Sequence, residues 1–346
     1  MIVSLVRGPL ARLGILAGLG GALLGLPLVA AYRFALVYRA RAGYPRPHPP
    51  TSTPSDLGLP FEETTVHSPD GDLPAWFIPA RDGAPGPGVV LVHGWESNRS
   101  RTLPHAEVLH AAGFHVLTFD VRGHGANPAE RLPISVGEFA ADARAAFDLL
   151  LARPEVTTAA LLGHSLGAVG ALVAAAGCGD RCAAVVSLSA PADPRRLTRQ
   201  TFRLASLPIP EPIATPLAEL TTRVFLRPRG HAVGDLSASR AAARYGGPVL
   251  LVHGSDDAVV PAWHLDRLAR AARAGSPSRV RTLLVAGGHH SWLHEHESYR
   301  RAVASFLSEA FGGPYAPAEA ADRAAAVAAL RIPEIDESFG ALEEAS

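Results

Sequence analysis

The stretch Ala159-Ala160-Leu161-Leu162-Gly163-His164-Ser165-Leu166-Gly167-Ala168 decides how this sequence folds. Its first half is an apolar run of strand type, and the small residues after Ser165 are typical of a helix. A serine at so sharp a strand-to-helix turn exposes its hydroxyl, and glycines two residues to either side keep Cβ atoms out of the corner. The N–H groups that open the following helix point the same way, where they could stabilise an oxyanion.

Gly-x-Ser-x-Gly is weak evidence by itself, because a chain with 33 glycines can contain the pattern by accident. The alternative interpretation is a glycine-bracketed turn with an idle serine. The strand-type run before the pattern and the helix-type run after it favour the functional interpretation.

The composition leaves room for one large domain or two small ones in 346 residues. The chain is 48% hydrophobic, which permits a large core, and its net charge of zero gives no argument for nucleic acid. Cys178 and Cys182 are too few for a disulfide framework, so we expect two buried free thiols, with a local bridge as the alternative. No zinc pattern is present, and His294 is expected at a solvated helix start rather than in a metal site. We expect no cofactor.

The N-terminal region precedes the globular domain. Residues 13–32 carry no charge over twenty positions, a length that spans a bilayer core as a helix. We predict residues 1–43 to be a single-pass anchor in the cell membrane, with the side of the remaining chain undetermined because arginines flank both ends. A cleaved signal peptide and a buried core helix are the alternatives. Residues 44–60, rich in proline, are predicted to be an extended linker.

Apolar runs of strand type alternate with helical patterns over residues 61–311, which predicts a mostly parallel α/β sheet covered by helices. The strand-type runs are residues 64–67, 75–78, 88–93, 115–120, the run before Ser165, 183–188, 249–253 and 280–285. Residues 194–247 are too long for a simple connection and are predicted to be an inserted cap. Residues 312–346 are predicted to be a flexible tail with a short helical stretch near 318–330.

Segments that follow five of these strands resemble the motifs of the α/β-hydrolase superfamily. In chain order they are His93-Gly94-Trp95, Asp120-x-Arg122-Gly123-His124-Gly125, Gly163-His164-Ser165-Leu166-Gly167, His253-Gly254-Ser255-Asp256-Asp257-Ala258-Val259-Val260-Pro261 and Gly287-Gly288-His289-His290. Within the superfamily the chain is most similar to bacterial esterase and lipase-like members related to the serine aminopeptidase and monoacylglycerol lipase group. The resemblance implies an eight-stranded α/β-hydrolase fold with helices on both faces, and it implies a serine hydrolase.

The resemblance and the chemistry together predict a Ser-His-Asp triad. Ser165 is the predicted nucleophile, and it needs a base because a free serine hydroxyl is a poor nucleophile. The resemblance favours His290 over His289 as that base, because the Gly-x-x-His-Ser spacing fits the family pattern. It likewise favours Asp257 over Asp256 as the acid that orients the imidazole. The chain order of serine, aspartate and histidine is the order this fold requires.

The groups around the triad are predicted from the same loops. The N–H groups of Trp95 and Leu166 are the predicted donors of an oxyanion hole. The side chain of Trp95 is predicted to form a wall of the acyl pocket and so to bind substrate. His93 and His253, which each end a strand before a glycine, are expected to shape their turns by hydrogen bonds.

Three functions are compatible with these residues. The first is an ester hydrolase that forms an acyl-serine intermediate on small-molecule or lipid-like esters, favoured by the apolar cap and the predicted anchor. The second is a peptidase or amidase with the same triad, and the third is a non-catalytic binding module on the same fold. No triad residue is missing, which disfavours the third. No predicted site residue lies in residues 1–46, so their deletion is expected to leave the activity intact.

Overall fold

The alternating patterns of the sequence fold into one mixed sheet with helices on both faces in a computed structural model that describes residues 9–81 and 83–327. The strands are β1 Glu62–Ser68, β2 Gly71–Ile78, β3 Gly86–Val92, β4 His115–Phe119, β5 Val156–His164, β6 Cys182–Leu188, β7 Val249–Gly254 and β8 Val280–Val285. The helices are α1 Pro9–Ala42, α2 Leu103–Ala111, α3 Val136–Leu151, α4 Leu166–Cys178, α5 Pro194–Leu204, α6 Glu211–Leu226, α7 Ala238–Arg244, α8 Trp263–Gly275, α9 Glu297–Phe311 and α10 Pro317–Ala325.

The eight strands lie in the order β1-β2-β4-β3-β5-β6-β7-β8. Strand β2 runs antiparallel to both of its neighbours, and all other pairs are parallel. The prediction of an eight-stranded, mostly parallel sheet is therefore confirmed. Because parallel strands end at the same edge, the loops after β3, β5, β7 and β8 meet there, and these loops carry the predicted site residues.

Alternate side chains of the central strands point into two separate cores. On one face of β3, Val90 belongs to the same buried cluster as Phe147 of α3. On the other face, Leu91 belongs to the cluster that contains Leu109 of α2. Both sides of the sheet are thus sealed by helices, as expected for parallel strands with continuous apolar sequences. Cys178 and Cys182 are buried free thiols, as predicted.

The segment between β6 and β7 divides into two parts. Helices α5 and α6 pack on each other and form the cap above the sheet edge. Helix α7 packs instead on α4 and α8, where Ala241 and Tyr245 are part of the main core. The predicted insertion at 194–247 therefore contributes its last third to the hydrolase body, because the alanine-rich face of α7 fits closely against α4.

Helix α1 extends ten residues beyond the uncharged run at 13–32 and includes Arg33 and Arg39. Within residues 9–81 and 83–327, no helix is both long enough and apolar enough to cross a membrane. This finding does not support the predicted transmembrane anchor. The C-terminal half of α1 packs on α6 of the cap, so part of its apolar surface faces protein.

Two further segments differ from their predictions. Residues 44–60 were predicted to be an extended linker, but they pack on the surface of the hydrolase body. Pro54 and Leu59 are buried, and the carbonyl oxygen of His48 accepts a hydrogen bond from Asn98. At the other end, α10 packs on α9 and buries Ala320 and Ala324. The short helical stretch predicted near 318–330 is therefore present as α10, and the difference from the prediction is that it packs on the hydrolase body, because small alanine side chains permit close helix packing. Residues 328–346 lie outside the described part of the chain.

Candidate active site

Ser165 occupies a strained turn between β5 and α4. Its backbone has φ 53° and ψ −120°, a conformation that L-residues rarely adopt. A Cβ on Gly163 would lie 2.3 Å from the oxygen of Gly167, and a Cβ on Gly167 would lie 2.2 Å from the oxygen of His93. Only glycine fits these two positions, and the Ser165 N–H donates to the Leu188 oxygen at 2.9 Å, which ties the turn to β6.

The structure brings Ser165, Asp257 and His290 into one hydrogen-bonded chain. The Nε2 atom of His290 lies 3.0 Å from the Ser165 Oγ, and its Nδ1 atom lies 2.8 Å from Asp257 Oδ2. These residues come from the loops after β5, β7 and β8. Nucleophile, base and orienting acid at such distances form the geometric pattern of an activated serine.

The two alternative residues lie outside this chain of hydrogen bonds. His289 is exposed, although it directly precedes His290. Asp256 is also exposed, and its carboxylate accepts a hydrogen bond from the Ser255 hydroxyl at 2.6 Å. The geometry therefore favours His290 over His289 and Asp257 over Asp256, in agreement with the sequence resemblance.

Asp257 is buried, and its carboxylate is surrounded by donors. Oδ1 accepts from the backbone N–H groups of Val259 and Val260 at 3.0 and 2.7 Å. Oδ2 lies 2.8 Å from His290 Nδ1 and 3.2 Å from His253 Nε2. Burial alone would raise the pKa of Asp257, but the two imidazoles together hold it well below its usual value. The ionised carboxylate keeps the proton of His290 on Nδ1 and leaves Nε2 free to accept the serine proton.

The backbone of His290 is fixed by His164, the residue inside the Gly-x-Ser-x-Gly pattern. His164 Nε2 donates to the His290 oxygen at 2.8 Å. Burial, followed by the nearby His290 ring, lowers the pKa of His164 to about 3, so this imidazole stays neutral. Sequence reasoning missed this role, although the position next to Ser165 was the available signal.

The two predicted oxyanion donors both border the cavity above Ser165. Leu166 is the first residue of α4, so its N–H has no acceptor within the helix. Trp95 follows Gly94, where an added Cβ would lie 3.3 Å from the Ser165 Cβ, so this turn runs directly beside the nucleophile. Trp95 is also one of the residues that line the cavity, and its role as a wall of the acyl pocket stays a prediction.

The loop that carries Trp95 is held by a buried histidine. His93 Nδ1 donates to the Gly94 oxygen at 2.7 Å, and its Nε2 accepts from the Val121 N–H at 3.0 Å. Burial lowers the pKa of His93 to about 4, so the ring remains neutral with one donor and one acceptor. The predicted turn-shaping role of this histidine agrees with these contacts.

A cavity of about 300 Å³ opens above Ser165, between the sheet edge and the cap. Its walls are largely apolar, with Leu197, Leu204, Phe225, Leu226 and Leu236 among the lining residues. None of the described lining residues is an aspartate or glutamate.

His294 also borders this cavity and is buried in a short 3-10 turn, Leu293–Glu295. The expectation of a solvated helix start for His294 is therefore wrong, because the turn folds back onto the body before α9 begins. Among the residues described, no cluster of histidine, cysteine, aspartate and glutamate is suited to a metal ion.

The fold and the triad geometry define a hydrolase-type site at the carboxyl edge of an α/β sheet. A family model described as serine aminopeptidase, S33, matches residues 83–227. The chain is 31% identical over 277 residues to an uncharacterised protein of Mycobacterium tuberculosis, a match that spans 79% of this chain and 86% of that protein. It is 30% identical over 244 residues to human Protein ABHD12B, spanning 68% of this chain and 64% of that protein.

Among solved structures, the chain is similar to the esterase Pf2001 of Pyrococcus furiosus. The TM-score is 0.61 at 21% identity, over 78% of this chain and 99% of the esterase. At this identity the likeness demonstrates the shared fold. The chain belongs to the α/β-hydrolase superfamily, and this membership together with its esterase-like fold supports a hydrolase.

Proposed function

We propose that this protein is a serine hydrolase that cleaves carboxylic esters of apolar acyl groups through an acyl-enzyme intermediate on Ser165. The observation that carries the proposal is the Ser165–His290–Asp257 hydrogen-bonded chain at the base of an apolar cavity. Esters are small molecules with an electrophilic carbonyl carbon, and the cavity walls suit a hydrocarbon substituent on it.

In the proposed reaction, Ser165 Oγ attacks the ester carbonyl while its proton passes to His290 Nε2. Asp257 stabilises the imidazolium that forms. The tetrahedral intermediate collapses with loss of the alcohol, which takes its proton from His290. A water molecule then hydrolyses the acyl-serine by the same proton transfers and restores the free hydroxyl.

The negative charge on the carbonyl oxygen needs donors that are already in place. We assign this role to the N–H groups of Leu166 and Trp95, which flank Ser165 from two different loops. Such preorganised donors contribute on the order of 3–4 kcal/mol to transition-state stabilisation in comparable sites. The loop of Trp95 is suited to this role because the His93 ring holds it in place, through hydrogen bonds to the Gly94 oxygen and from the Val121 N–H.

The test is hydrolysis of p-nitrophenyl butyrate by the full-length protein and by Ser165→Ala, with Ser305→Ala on α9 as the control. We expect Ser165→Ala to fall to the background rate while its circular dichroism is unchanged, because the substitution removes the covalent path and little packing. A fluorophosphonate should add covalently to the wild type and to Ser305→Ala, as measured by intact mass, and leave Ser165→Ala unlabelled. Hydrolysis or labelling that persists in Ser165→Ala would refute the proposal.

A peptidase acting from the amino terminus is the second candidate, favoured by the serine aminopeptidase family model. Such an enzyme must hold the charged ammonium group of its substrate, which calls for a carboxylate near the nucleophile. The absence of acidic side chains among the described cavity residues disfavours this candidate. Hydrolysis of alanine p-nitroanilide at a kcat/KM equal to that of p-nitrophenyl butyrate would reverse the preference.

A further inference from the structure

Aromatic side chains in the C-terminal half of α1 make edge-to-face contacts with aromatic rings of the cap. The ring centroids of Phe34 and Phe202 lie 5.4 Å apart, and the planes are nearly perpendicular. Tyr38 makes similar contacts with Phe202 at 5.7 Å and with Phe225 at 6.1 Å. These edge-to-face pairs fix α1 against both α5 and α6.

Two residues of α1 also border the cavity above Ser165. Tyr38 and Ala42 line it beside Thr201 of α5 and Phe225 of α6. One wall of the cavity is therefore built from three helices, and the first of them lies more than a hundred residues before the nucleophile in the sequence. Immediately after α1, the oxygen of Gly43 accepts a hydrogen bond from the N–H of Ile134 at 2.7 Å, which holds this end of the helix on the body.

The hydroxyl groups of the cavity-lining residues in this three-helix wall bond to one another and to helix carbonyls. Thr201 Oγ1 donates to the Thr198 oxygen at 2.7 Å, so the Tyr38 hydroxyl donates to Thr201 Oγ1 at 2.8 Å. The hydroxyls of Thr198 and Thr222 lie 2.9 Å apart, and Thr222 donates to the Ala218 oxygen at 2.7 Å. The hydroxyls of the lining residues Tyr38, Thr198, Thr201 and Thr222 are consequently paired within the wall, so they need no partner from a ligand.

We propose that the three-helix wall formed by α1, α5 and α6 is the acyl-binding site, and that the ring of Tyr38 sets the length of acyl chain accepted. The ligand class is an unbranched fatty acyl group. This inference rests on the proposed ester hydrolase function and deepens it by assigning the substrate class and a residue that selects it. A hydrocarbon chain can displace water from this wall without leaving a polar group unpaired.

The size of the cavity makes Tyr38 a length-limiting residue. At about 300 Å³ the cavity lies at the lower end of the range of ligand pockets, about 300–1,000 Å³. Removal of the half-buried ring extends the space along α1, and each further methylene that becomes buried should raise kcat/KM about fourfold. A larger ring at the same position should shorten the accepted chain.

The experiment measures kcat/KM for p-nitrophenyl esters from acetate to laurate with the full-length protein. The variants are Tyr38→Ala, Tyr38→Trp and, as the matched control on the same helix, Tyr32→Ala, since Tyr32 is 43% exposed. We expect the optimum to move to longer esters in Tyr38→Ala, with a gain of about tenfold or more for an ester that is two methylenes longer. In Tyr38→Trp the optimum should move to shorter esters, and in Tyr32→Ala it should stay in place.

Two results separate this inference from the proposed function. Chain-length profiles that coincide in wild type and both Tyr38 variants, with hydrolysis still dependent on Ser165, overturn the inference and leave the function standing. Hydrolysis that does not depend on Ser165 overturns the function itself. If Tyr38→Ala fails to fold, Tyr38→Trp decides alone: an optimal ester length that moves to shorter chains supports the inference, and an unchanged optimum overturns it.

Discussion

The Nε2 atom of His253 lies 3.2 Å from Oδ2 of Asp257, the carboxylate oxygen that also contacts His290. The same Nε2 lies 2.7 Å from the carbonyl oxygen of Val260, which can only accept, so Nε2 carries the proton. Two imidazoles therefore face one buried carboxylate, and His253 helps to keep it ionised and in position.

Replacement of His253 by leucine should lower kcat with little change in KM, because Asp257 loses one of its donors while the cavity is unaltered. A hydrogen bond to a charged group contributes about 1.5–3 kcal/mol, which corresponds to a loss of about 10- to 150-fold in kcat. His253→Gln restores a side-chain N–H donor and should recover part of the rate. Steady-state kinetics with p-nitrophenyl butyrate measure both variants, and wild-type kcat in His253→Leu would contradict the positioning role.

The neighbouring residues in the triad loops offer matched pairs. His290→Ala and Asp257→Asn should each reduce kcat by on the order of a thousandfold or more, because the triad acts as one unit. His289→Ala and Asp256→Asn should stay close to wild type, since both side chains are exposed. The ranking of kcat/KM within each pair is the measurement, and a reversed ranking would transfer the role to the neighbour.

The hydrogen-bonded chain of Ser165, His290 and Asp257 was predictable because its residues lie in short motifs directly after strands, where chain order and fold specify the edge they share. Tyr38 was not predictable in this way. Its contact with Thr201 joins positions 163 residues apart, and no local pattern encodes that pairing. The hydropathy of residues 13–32 instead suggested an anchor, and it drew attention away from Phe34 and Tyr38, which follow that run and make the contacts with the cap.

Gly167, two residues after Ser165, allows a test of how closely the turn between β5 and α4 is packed. In Gly167→Ala the new methyl would lie 2.2 and 2.3 Å from the oxygens of His93 and Val92, so the backbone of the Trp95 loop must move. We expect a loss of about 1–3 kcal/mol or more in unfolding free energy, together with loss of activity.

Gly177, near the end of the same helix, is the control for that substitution. An added Cβ there meets only the Arg144 side chain at 3.7 Å, an ordinary contact. Gly177→Ala should be neutral or more stable by up to about 1 kcal/mol, since alanine has the higher helix propensity. Urea unfolding compares the two variants. Equal changes in the free energy of unfolding would show that the turn at Ser165 has room for a methyl group.

Acid should destabilise the protein through its buried neutral histidines. Burial is the largest cause that lowers the pKa of His93 to about 4 and the pKa of His124, His164 and His264 to about 3. In the unfolded chain these groups titrate near 6.5. Between about pH 6.5 and 4 the unfolded state therefore binds more protons, and stability falls as the pH is lowered.

From pH 6.5 to 5.5 each of these four groups should cost about 1 kcal/mol, or about 4 kcal/mol together. Urea unfolding at pH 7.5, 6.5 and 5.5 measures the change. The variant His289→Ala should keep the wild-type dependence because that side chain is exposed. An unfolding free energy that stays constant across this range would contradict the assignment of buried neutral rings.

The final prediction concerns the first 46 residues, whose deletion should impair the enzyme although they contain no predicted triad or oxyanion residue. The deletion removes Phe34 and Tyr38 and exposes Phe202, which is 2% exposed in the intact chain. Loss of this burial should cost about 1.5–3 kcal/mol for each large side chain uncovered. The opened wall should also reduce kcat/KM for long-chain esters about tenfold or more, since several methylenes lose their contacts.

Deletion of residues 1–30 is the matched control, because it retains Phe34 and Tyr38, and the removed Leu26 and Leu28 are 69% and 68% exposed. This shorter truncation should keep the wild-type chain-length profile. The measurements are thermal unfolding and p-nitrophenyl ester kinetics for both truncations. If the two truncations behave alike and both match the full-length protein, α1 contributes neither to the cap nor to the cavity.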